Sequence, residues 1–457
     1  MSDTNRGGKA RFQIDTSIER AADKALVIVP VLGPHAAKDV GATALQRRSE
    51  QSRLEEAVGL ARAIDLDVVH SGCVALSKVR PSTLLGSGKV DEFKGMIAAL
   101  DAGLVIVDHP LTPVQQRNLE KAWDSKVIDR TGLILEIFGA RARTREGRLQ
   151  VELAHLNYQK GRLVRSWTHL ERQRGAMGTV GGPGETQIEA DRRQLQERIL
   201  KLERELEKVR RTRHLHRAKR KKVPHPIVAL VGYTNAGKST LFNRLTGARV
   251  LAKDMLFATL DPTLRRLELP GGSLVILSDT VGFVSDLPTH LVAAFRATLE
   301  EVIEADLVLH VRDISDPDSA AQSEDVYDIL NQLGIGEDGH SRVVEVWNKI
   351  DLLDAEALEA IRTTRTNEEG EGPLLASAIS GDGLDDVITL IERRISANDD
   401  LMEFNLPIAD MRHLSWIYDN ANVLERSDCE DGSLQLKVRV PPRLHSEFVS
   451  RLSHQAG

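Results

Sequence analysis

One short string constrains this chain more than any other: Gly232-Tyr233-Thr234-Asn235-Ala236-Gly237-Lys238-Ser239, followed by Thr240. It has the spacing G-x-x-x-x-G-K-[ST], and it stands between an apolar run, Ile227–Val231, and a helix-like stretch, Thr240–Leu245. A strand that turns through glycines into a helix presents backbone N–H groups inward and adds the positive end of the helix dipole. Such a turn cradles a polyphosphate, with Lys238 reaching the outer phosphates as a point charge and the Ser239 hydroxyl as a Mg²⁺ ligand. The competing expectation is an ordinary glycine turn, which would need no matching loops downstream.

The length of 457 residues exceeds what one core serves, so roughly two to four domains are expected. Cys73 and Cys429 are far apart and lack a C-x-x-C partner, which argues against a disulfide framework or a cysteine zinc site. Met1–Arg6 is polar, and no apolar stretch of ~18 residues occurs, so a cytoplasmic chain with no membrane span is expected. A monomer is the default. The net charge of −6 demands no nucleic-acid partner globally, but the charge is unevenly placed.

Residues 1–135 alternate apolar runs with helical patterns: Ala25–Val31, a helix over Ser52–Ile64, Asp67–Val69, a helix over Lys89–Leu100, Leu104–Val107, a helix near Pro113–Trp123, then Val127 and Ile128. That alternation predicts a small parallel α/β domain. Gly86-Ser87-Gly88-Lys89 opens one of its helices. Without the leading half of the phosphate pattern it is expected to be a tight turn, a second anion site being the competing reading.

From Thr131 the pattern turns helical, with one break at Gly175–Gly184, a stretch whose glycines and Pro183 exclude helix. Leu149, Leu153, Leu156 and Leu163 mark an apolar face on the first arm. Ile188, Leu195, Ile199, Leu202, Leu206 and Val209 mark a coiled-coil seam on the second. An antiparallel helical hairpin with a Gly-rich loop over 136–223 follows, each arm of ~30 residues reaching ~45 Å. The second arm ends in Lys208, Arg210, Arg211, Arg213, Arg217, Lys219, Arg220, Lys221 and Lys222, with no acid among them. A charge run is commonly a solvated face. Here it coincides with Arg143, Arg145, Arg148, Lys160, Arg162 and Arg165 on the first arm and with Arg172 and Arg174 beside the loop, which favours contact with structured RNA through its phosphates. The aromatics there are Tyr158 and Trp167, so shape recognition is expected over base reading.

Pro224 and Pro226 lead into residues 224–395. Strands are expected at Ile227–Val231, Leu264–Leu269, Leu274–Ser278, Leu307–Val311, Val343–Val346 and Leu374–Ala376, with helices starting near Lys238, Thr289, Ala320, Ala355 and Leu384. This is the pattern of a P-loop, doubly wound α/β sheet with active loops at the carboxyl ends of its strands. After an acidic joint, Asn398-Asp399-Asp400, residues 396–457 read as a small α+β domain: helix Asp410–Asn420, strands Val423–Arg426 and Leu434–Val440, helix Arg443–Leu452.

The downstream loops that a plain turn would lack are present. In Phe257-Ala258-Thr259-Leu260-Asp261 a threonine is placed to close over Mg²⁺ and a γ-phosphate; Thr263 competes with Thr259, and spacing does not choose. Asp279-Thr280-Val281-Gly282 ends an apolar strand: Asp279 is expected to hold the metal and the Gly282 N–H to touch the γ-phosphate. In Asn348-Lys349-Ile350-Asp351, the Asp351 carboxylate can accept from guanine N1–H and the exocyclic amine. Adenine leaves it unpaired, so selection of about 10⁴ is within reach. Ser377-Ala378-Ile379 would close the far side of the base with backbone N–H groups. Lys238, Thr259 and Gly282 are the residues expected to carry the chemistry. After Gly282, where many GTPases place a glutamine that orients the attacking water, stands Phe283, so slow intrinsic hydrolysis is expected.

With these strings in view, the chain resembles the HflX-type ribosome-binding GTPases over nearly its whole length. The resemblance rests on Gly86–Lys89, on Gly181-Gly182-Pro183-Gly184-Glu185-Thr186-Gln187-Ile188-Glu189 at the hairpin, and on Gly232–Ser239, Phe257–Asp261 and Asp279–Phe283. The Gly-Gly-Pro-Gly-Glu string beside a GTPase domain carries the most weight. The resemblance implies an N-terminal domain and hairpin that bind the large ribosomal subunit and its rRNA, with the loop reaching toward the peptidyl-transferase centre. It further implies GTP-driven dissociation of stalled or idle ribosomes under stress, and it favours Thr259 as the switch threonine and Mg²⁺ ligand. The alternative is an rRNA-bound, GTP-dependent scaffold or assembly factor that hydrolyses little, which Phe283 keeps open. RNA remodelling driven by a second nucleotide at Gly86–Lys89 is a weaker third.

Overall fold

Strand β1 (Lys24–Leu32) is buried along almost its whole length, which suits a central parallel strand covered on both faces. A computed structural model of the chain describes it together with the rest of residues 23–33, 48–174, 183–220, 225–248, 256, 257, 259, 262–285, 296–335, 342–366, 372–397, 399–429, 431–440 and 442–452. Of the expectations above, residues 1–22, the loop 175–182, Lys221, Lys222, Ala258, Leu260, Asp261 and the helix start near Thr289 lie outside the described residues. So do Pro224 and Asn398 and the side chains of Leu163, Arg165, Trp167, Arg172, Arg174, Ile188, Arg210, Arg213, Arg217, Lys219 and Arg220.

After β1 come helix α1 (Glu50–Arg62), β2 (Asp67–Leu76), α2 (Ser87–Leu100), β3 (Leu104–Val107), α3 (Pro113–Trp123) and β4 (Lys126–Asp129). The strands form a parallel sheet in the order β2-β1-β3-β4. Helix α3 starts where its sequence requires: Thr112 and Gln115 exchange side-chain-to-backbone hydrogen bonds, and Pro113 occupies a position whose N–H would have no partner. Leu26, Ile28, Val105, Val107, Leu119 and Trp123 share one core.

The helical stretch that follows is interrupted among the described residues at 142–144, a break that the helical pattern does not predict; the expected break falls on 175–182, outside the described residues. Helix α4 (Arg130–Arg141) stops before α5 (Arg145–Arg174), because Thr144 accepts the Gly147 N–H at 3.0 Å and begins a new helix. Helix α6 (Pro183–Arg220) corrects a second expectation, since Pro183 and Gly184 are its first residues and not part of a helix-free break. Proline is tolerated in the first turn, where its missing N–H costs nothing. Leu149 and Leu156 of α5 pack with Ile199, Leu202 and Leu206 of α6, the seam the spacing predicts.

The second sheet contains β5 (Ile227–Val231), α7 (Lys238–Thr246), β6 (Thr263–Glu268), β7 (Leu274–Asp279), α8 (Arg296–Ile303), β8 (Leu307–Asp313), α9 (Ser319–Gln332), β9 (Val343–Asn348), α10 (Ala355–Thr366), β10 (Leu374–Leu375) and α11 (Leu384–Ser396). Its order is β10-β9-β8-β5-β7-β6, parallel except for β6 against β7. The carboxyl ends of β5, β7, β9 and β10 therefore face one rim.

The terminal part adds β11 (Asp400–Leu406), α12 (Leu414–Asn420), β12 (Asn422–Asp428), β13 (Leu434–Val440) and α13 (Pro442–Leu452), an antiparallel sheet in the order β11-β13-β12. Strand β11 was not expected and starts at the last residue of the acidic joint, Asp400: Met402, Phe404 and Leu406 alternate onto the core, a period-two signal that Asp400 and Glu403 obscured. The described residues group into two compact units, one around the first sheet and one that includes the second and third. No helix among them is long and apolar enough to cross a membrane.

Candidate nucleotide site

The turn after β5 can be made only with glycine at two places. Gly232 has φ +149° and a Cβ there would collide with the Val311 carbonyl of β8; Gly237 has φ +93° and a Cβ there would strike the Asn348 amide. The chain consequently folds back tightly over the start of α7. Lys238, its first residue, is buried, and its Nζ donates to the carbonyls of Gly232 at 3.1 Å and Tyr233 at 2.7 Å. Burial lowers its pKa to about 8, with the nearby Asp279 charge opposing the fall.

On one side of this lysine three oxygens meet. Ser239 Oγ donates to Asp279 Oδ2 at 2.7 Å and lies 2.9 Å from Thr259 Oγ1, which itself donates to Asp279 Oδ2 at 2.9 Å. Asp279 is fully buried, and its Oδ1 has no hydrogen-bond partner among the described residues. Burial pushes the carboxyl pKa up, while the Ser239 bond, the Lys238 charge and the Thr259 bond hold it down. Thr263 lies in β6, paired in register with Asp279, and it is Thr259 whose hydroxyl joins the group.

This donor set fits Mg²⁺. Two hydroxyls and a carboxylate with a spare buried oxygen are hard ligands that leave positions for water and phosphate oxygens. Among the described residues no group of three or more His, Cys, Asp or Glu side chains that could hold a metal ion gathers.

Gly282 stands against the lysine: a Cβ on it would lie 2.9 Å from Thr234 Cα and 3.1 Å from Lys238 Nζ. Thr280 Oγ1 donates to Leu230 O at 2.6 Å, and Val281 is buried. Phe283 is 2% exposed, and its backbone is tied to the phosphate loop, N–H to Gly232 O at 3.1 Å and C=O from the Thr234 N–H at 2.7 Å. Its ring has no group that could orient a water.

At the other end of the cradle, Asn348 joins three loops. Its Nδ2 donates to Ala236 O at 2.8 Å and its Oδ1 accepts the Ala378 N–H at 3.0 Å. Lys349, with φ +67°, turns to pair with Asp313 at 2.6 Å, and the Ile350 N–H reaches Ala376 O at 3.4 Å. Asp351 Oδ1 accepts from Ser377 Oγ at 2.5 Å, which orients the carboxylate. Ile379 is largely exposed, and so is Asn235. Gly86–Lys89, by contrast, is an open helix start: no atom of the described residues crowds Gly86 or Gly88, and Lys89 pairs in solvent with Glu92 at 2.6 Å.

Sequence reasoning missed what surrounds the Tyr233 hydroxyl. Arg48, Ser285 and Asp325 converge there from distant parts of the chain, and no spacing pattern links them. Phe138 of α4 likewise meets Phe257 edge to face, with ring centroids 4.8 Å apart.

A mostly parallel sheet whose carboxyl rim gathers the lysine turn, an Asp–Ser–Thr oxygen cluster and the linked Asn348, Asp351 and Ser377 defines a P-loop GTPase. Family models match in succession: GTP-binding GTPase N-terminal at residues 51–139, GTP-binding GTPase Middle Region at 141–220, 50S ribosome-binding GTPase at 227–349 and HflX C-terminal domain at 363–456. The GTPase HflX of Magnetococcus marinus is 49% identical over 400 residues, 87% of this chain and 91% of that one. The GTPase HflX of Escherichia coli is 46% identical over 362 residues, 79% and 83% of the two chains. A solved GTP-binding protein from Sulfolobus solfataricus, in complex with GDP, covers 81% of this chain and 98% of its own at 21% identity and TM-score 0.42. The chain belongs to the HflX family and is a GTP-hydrolysing enzyme.

Proposed function

We propose that this GTPase binds the large ribosomal subunit and its rRNA in the GTP state and dissociates stalled or idle ribosomes under stress. The observation that carries the switching part is the placement of Gly282 against Lys238, where a terminal phosphate would be felt by both. The match of residues 227–349 to the model described as 50S ribosome-binding GTPase supports the partner. The working division is an N-terminal α/β domain at 1–135, a hairpin at 136–223, a G domain at 224–395 and a C-terminal domain at 396–457, in a monomeric, cytoplasmic protein.

Each residue has a task. The backbone of Gly232–Ser239 and the Lys238 ammonium bind the β- and γ-phosphates. Ser239, Thr259 and Asp279 would hold Mg²⁺, which when bound neutralises charge on the phosphate oxygens. The Gly282 N–H reads the γ-phosphate, and its loss on hydrolysis releases the flanking loops. Asp351 selects guanine, kept in place by Ser377, while Asn348 locks the base loop to the phosphate loop. Lys349, Ile350, Ala378 and Ile379 shape that pocket, as Phe257, Ala258, Leu260 and Asp261 shape the loop of Thr259, and Thr280 and Val281 that of Gly282. Because Phe283 cannot position water, hydrolysis is slow until the ribosome rearranges these loops.

Sedimentation of ribosomes incubated with the full chain and GTP, a non-hydrolysable analogue or GDP tests this. Subunits should accumulate with the first two and not the third. Co-migration with intact ribosomes or large subunits in all three states would replace the splitting factor by the scaffold.

A further inference from the structure

We infer that Arg48 is a positioning residue for recognition of the γ-phosphate: it holds Tyr233, and Tyr233 holds the segment that follows Gly282. The inference rests on the assignment of Gly232–Ser239 and Gly282 to the terminal phosphates.

Tyr233 belongs to the phosphate loop, yet its side chain is committed elsewhere. Its hydroxyl accepts from Arg48 at 2.9 Å and from the Ser285 N–H at 3.0 Å, and it lies 2.8 Å from Ser285 Oγ. Ser285 Oγ gives its one proton to Asp325 on α9 at 2.6 Å, so the tyrosine must donate to the serine. One donation and two acceptances use the phenol completely. The guanidinium also lies over the tyrosine ring, 5.2 Å from its centroid, and its Nε sits 3.5 Å from Asp318 Oδ2. That same carboxylate oxygen accepts the Ser49 N–H at 3.2 Å. Arg48 is 8% exposed and Ser285 fully buried, so these bonds form away from water, where directed partners matter most.

The consequence falls on Gly282. Residues 283–285 are fastened to the phosphate loop by the Phe283 backbone bonds to Gly232 and Thr234 and by both Ser285 bonds to the Tyr233 hydroxyl. Gly282 leads directly into that strip. Withdrawing Arg48 removes one of the three bonds on the Tyr233 hydroxyl and the cation over its ring, which loosens the strip at its far end. GTP then loses the contact from Gly282, whereas GDP, which never makes it, keeps the cradle of Gly232–Ser239.

The test is equilibrium binding of a non-hydrolysable GTP analogue and of GDP, with Mg²⁺ present, to the full chain and its variants. Arg48→Ala should weaken the analogue about three- to tenfold and leave GDP within about twofold. Arg48→Lys keeps a donor for the phenol and should recover part of the loss. Arg48→Ala combined with Tyr233→Phe should be no worse than Tyr233→Phe alone, since both cut the same chain of contacts. Equal weakening of both nucleotides, an unchanged ratio, or additive losses would overturn the inference. If Arg48→Ala does not fold, Arg48→Lys and Tyr233→Phe carry the same comparison. Should the unaltered chain bind neither nucleotide, the phosphate-site assignment falls too; should it bind both while the variants leave their ratio untouched, only the role of Arg48 falls.

Discussion

Two glycine–lysine turns open helices at the ends of this molecule's strands and loops, and they differ in what the lysine faces. At Lys89 the ammonium is half in water and pairs with Glu92 on its own helix. At Lys238 it is buried against two backbone carbonyls, beside a carboxylate with an oxygen unsatisfied among the described residues. The first arrangement is complete in itself. The second leaves a buried ammonium and a buried carboxylate oxygen that a bound phosphate and cation would complete.

The charged cluster of the first sheet sharpens the point. There Arg130 is buried between Asp108, at 2.6 Å, and Glu56, while Asp129 accepts from Arg162 at 2.7 Å and from the N–H groups of Leu111 and Gly132. Acid and base are matched within the fold, so the cluster reads as support for the sheet. Around Asp279 the hydrogen bonds come from hydroxyls, which a metal ion can replace as ligands without leaving a charge stranded.

The largest effect should separate these clusters. Arg130→Ala takes a buried partner from two buried carboxylates and should cost about 3–5 kcal/mol of stability, read by denaturant unfolding, with guanine-nucleotide affinity unchanged in the folded fraction. Lys238→Ala should do the reverse, weakening GTP on the order of 10²-fold in a binding titration while melting near the unaltered chain. A smaller effect follows from pH. The Lys238 pKa of about 8 lies below its ordinary 10.5, so the folded chain binds fewer protons than the unfolded one between these values, and this group adds stability as pH rises through that window. Bound phosphate would keep the lysine charged, so GTP binding takes up a proton above pH ~8 and affinity should fall there by at most about tenfold per pH unit. Smallest of all, Lys89→Ala should change GTP affinity by less than about twofold, since loss of a surface pair is worth ~0–1 kcal/mol. A large loss there would make the two turns alike and reopen a second anion site.

The same contrast explains what could be read from the sequence. Strand β5 and the start of α7 are local: an apolar run, two glycines and a lysine determine them, and Ile227–Val231 is found as expected. The break at Thr144 was equally local but hidden, because one capping threonine in a basic stretch is a weak signal beside the long helical pattern. Strand β11 was masked by its acids. Arg48 is a different case. Its partner Tyr233 is 185 positions away, and the link exists only once the fold has brought them together. Ser285 and Asp325, 40 residues apart, are of the same kind. Motif loops announce themselves because the groups of each lie within one short stretch, whereas the residues that hold the loops act through contacts that no local pattern encodes.

The central claim is that these loops converge on one guanine nucleotide with Mg²⁺. Its most direct test is a titration of the purified full chain with GTP and with ATP, each with and without Mg²⁺, repeated for Asp351→Asn. GTP should bind at least about 10³-fold more tightly than ATP, and the preference should collapse in the variant. Equal binding of the two nucleotides, or a preference that survives loss of the Asp351 carboxylate, would contradict the account.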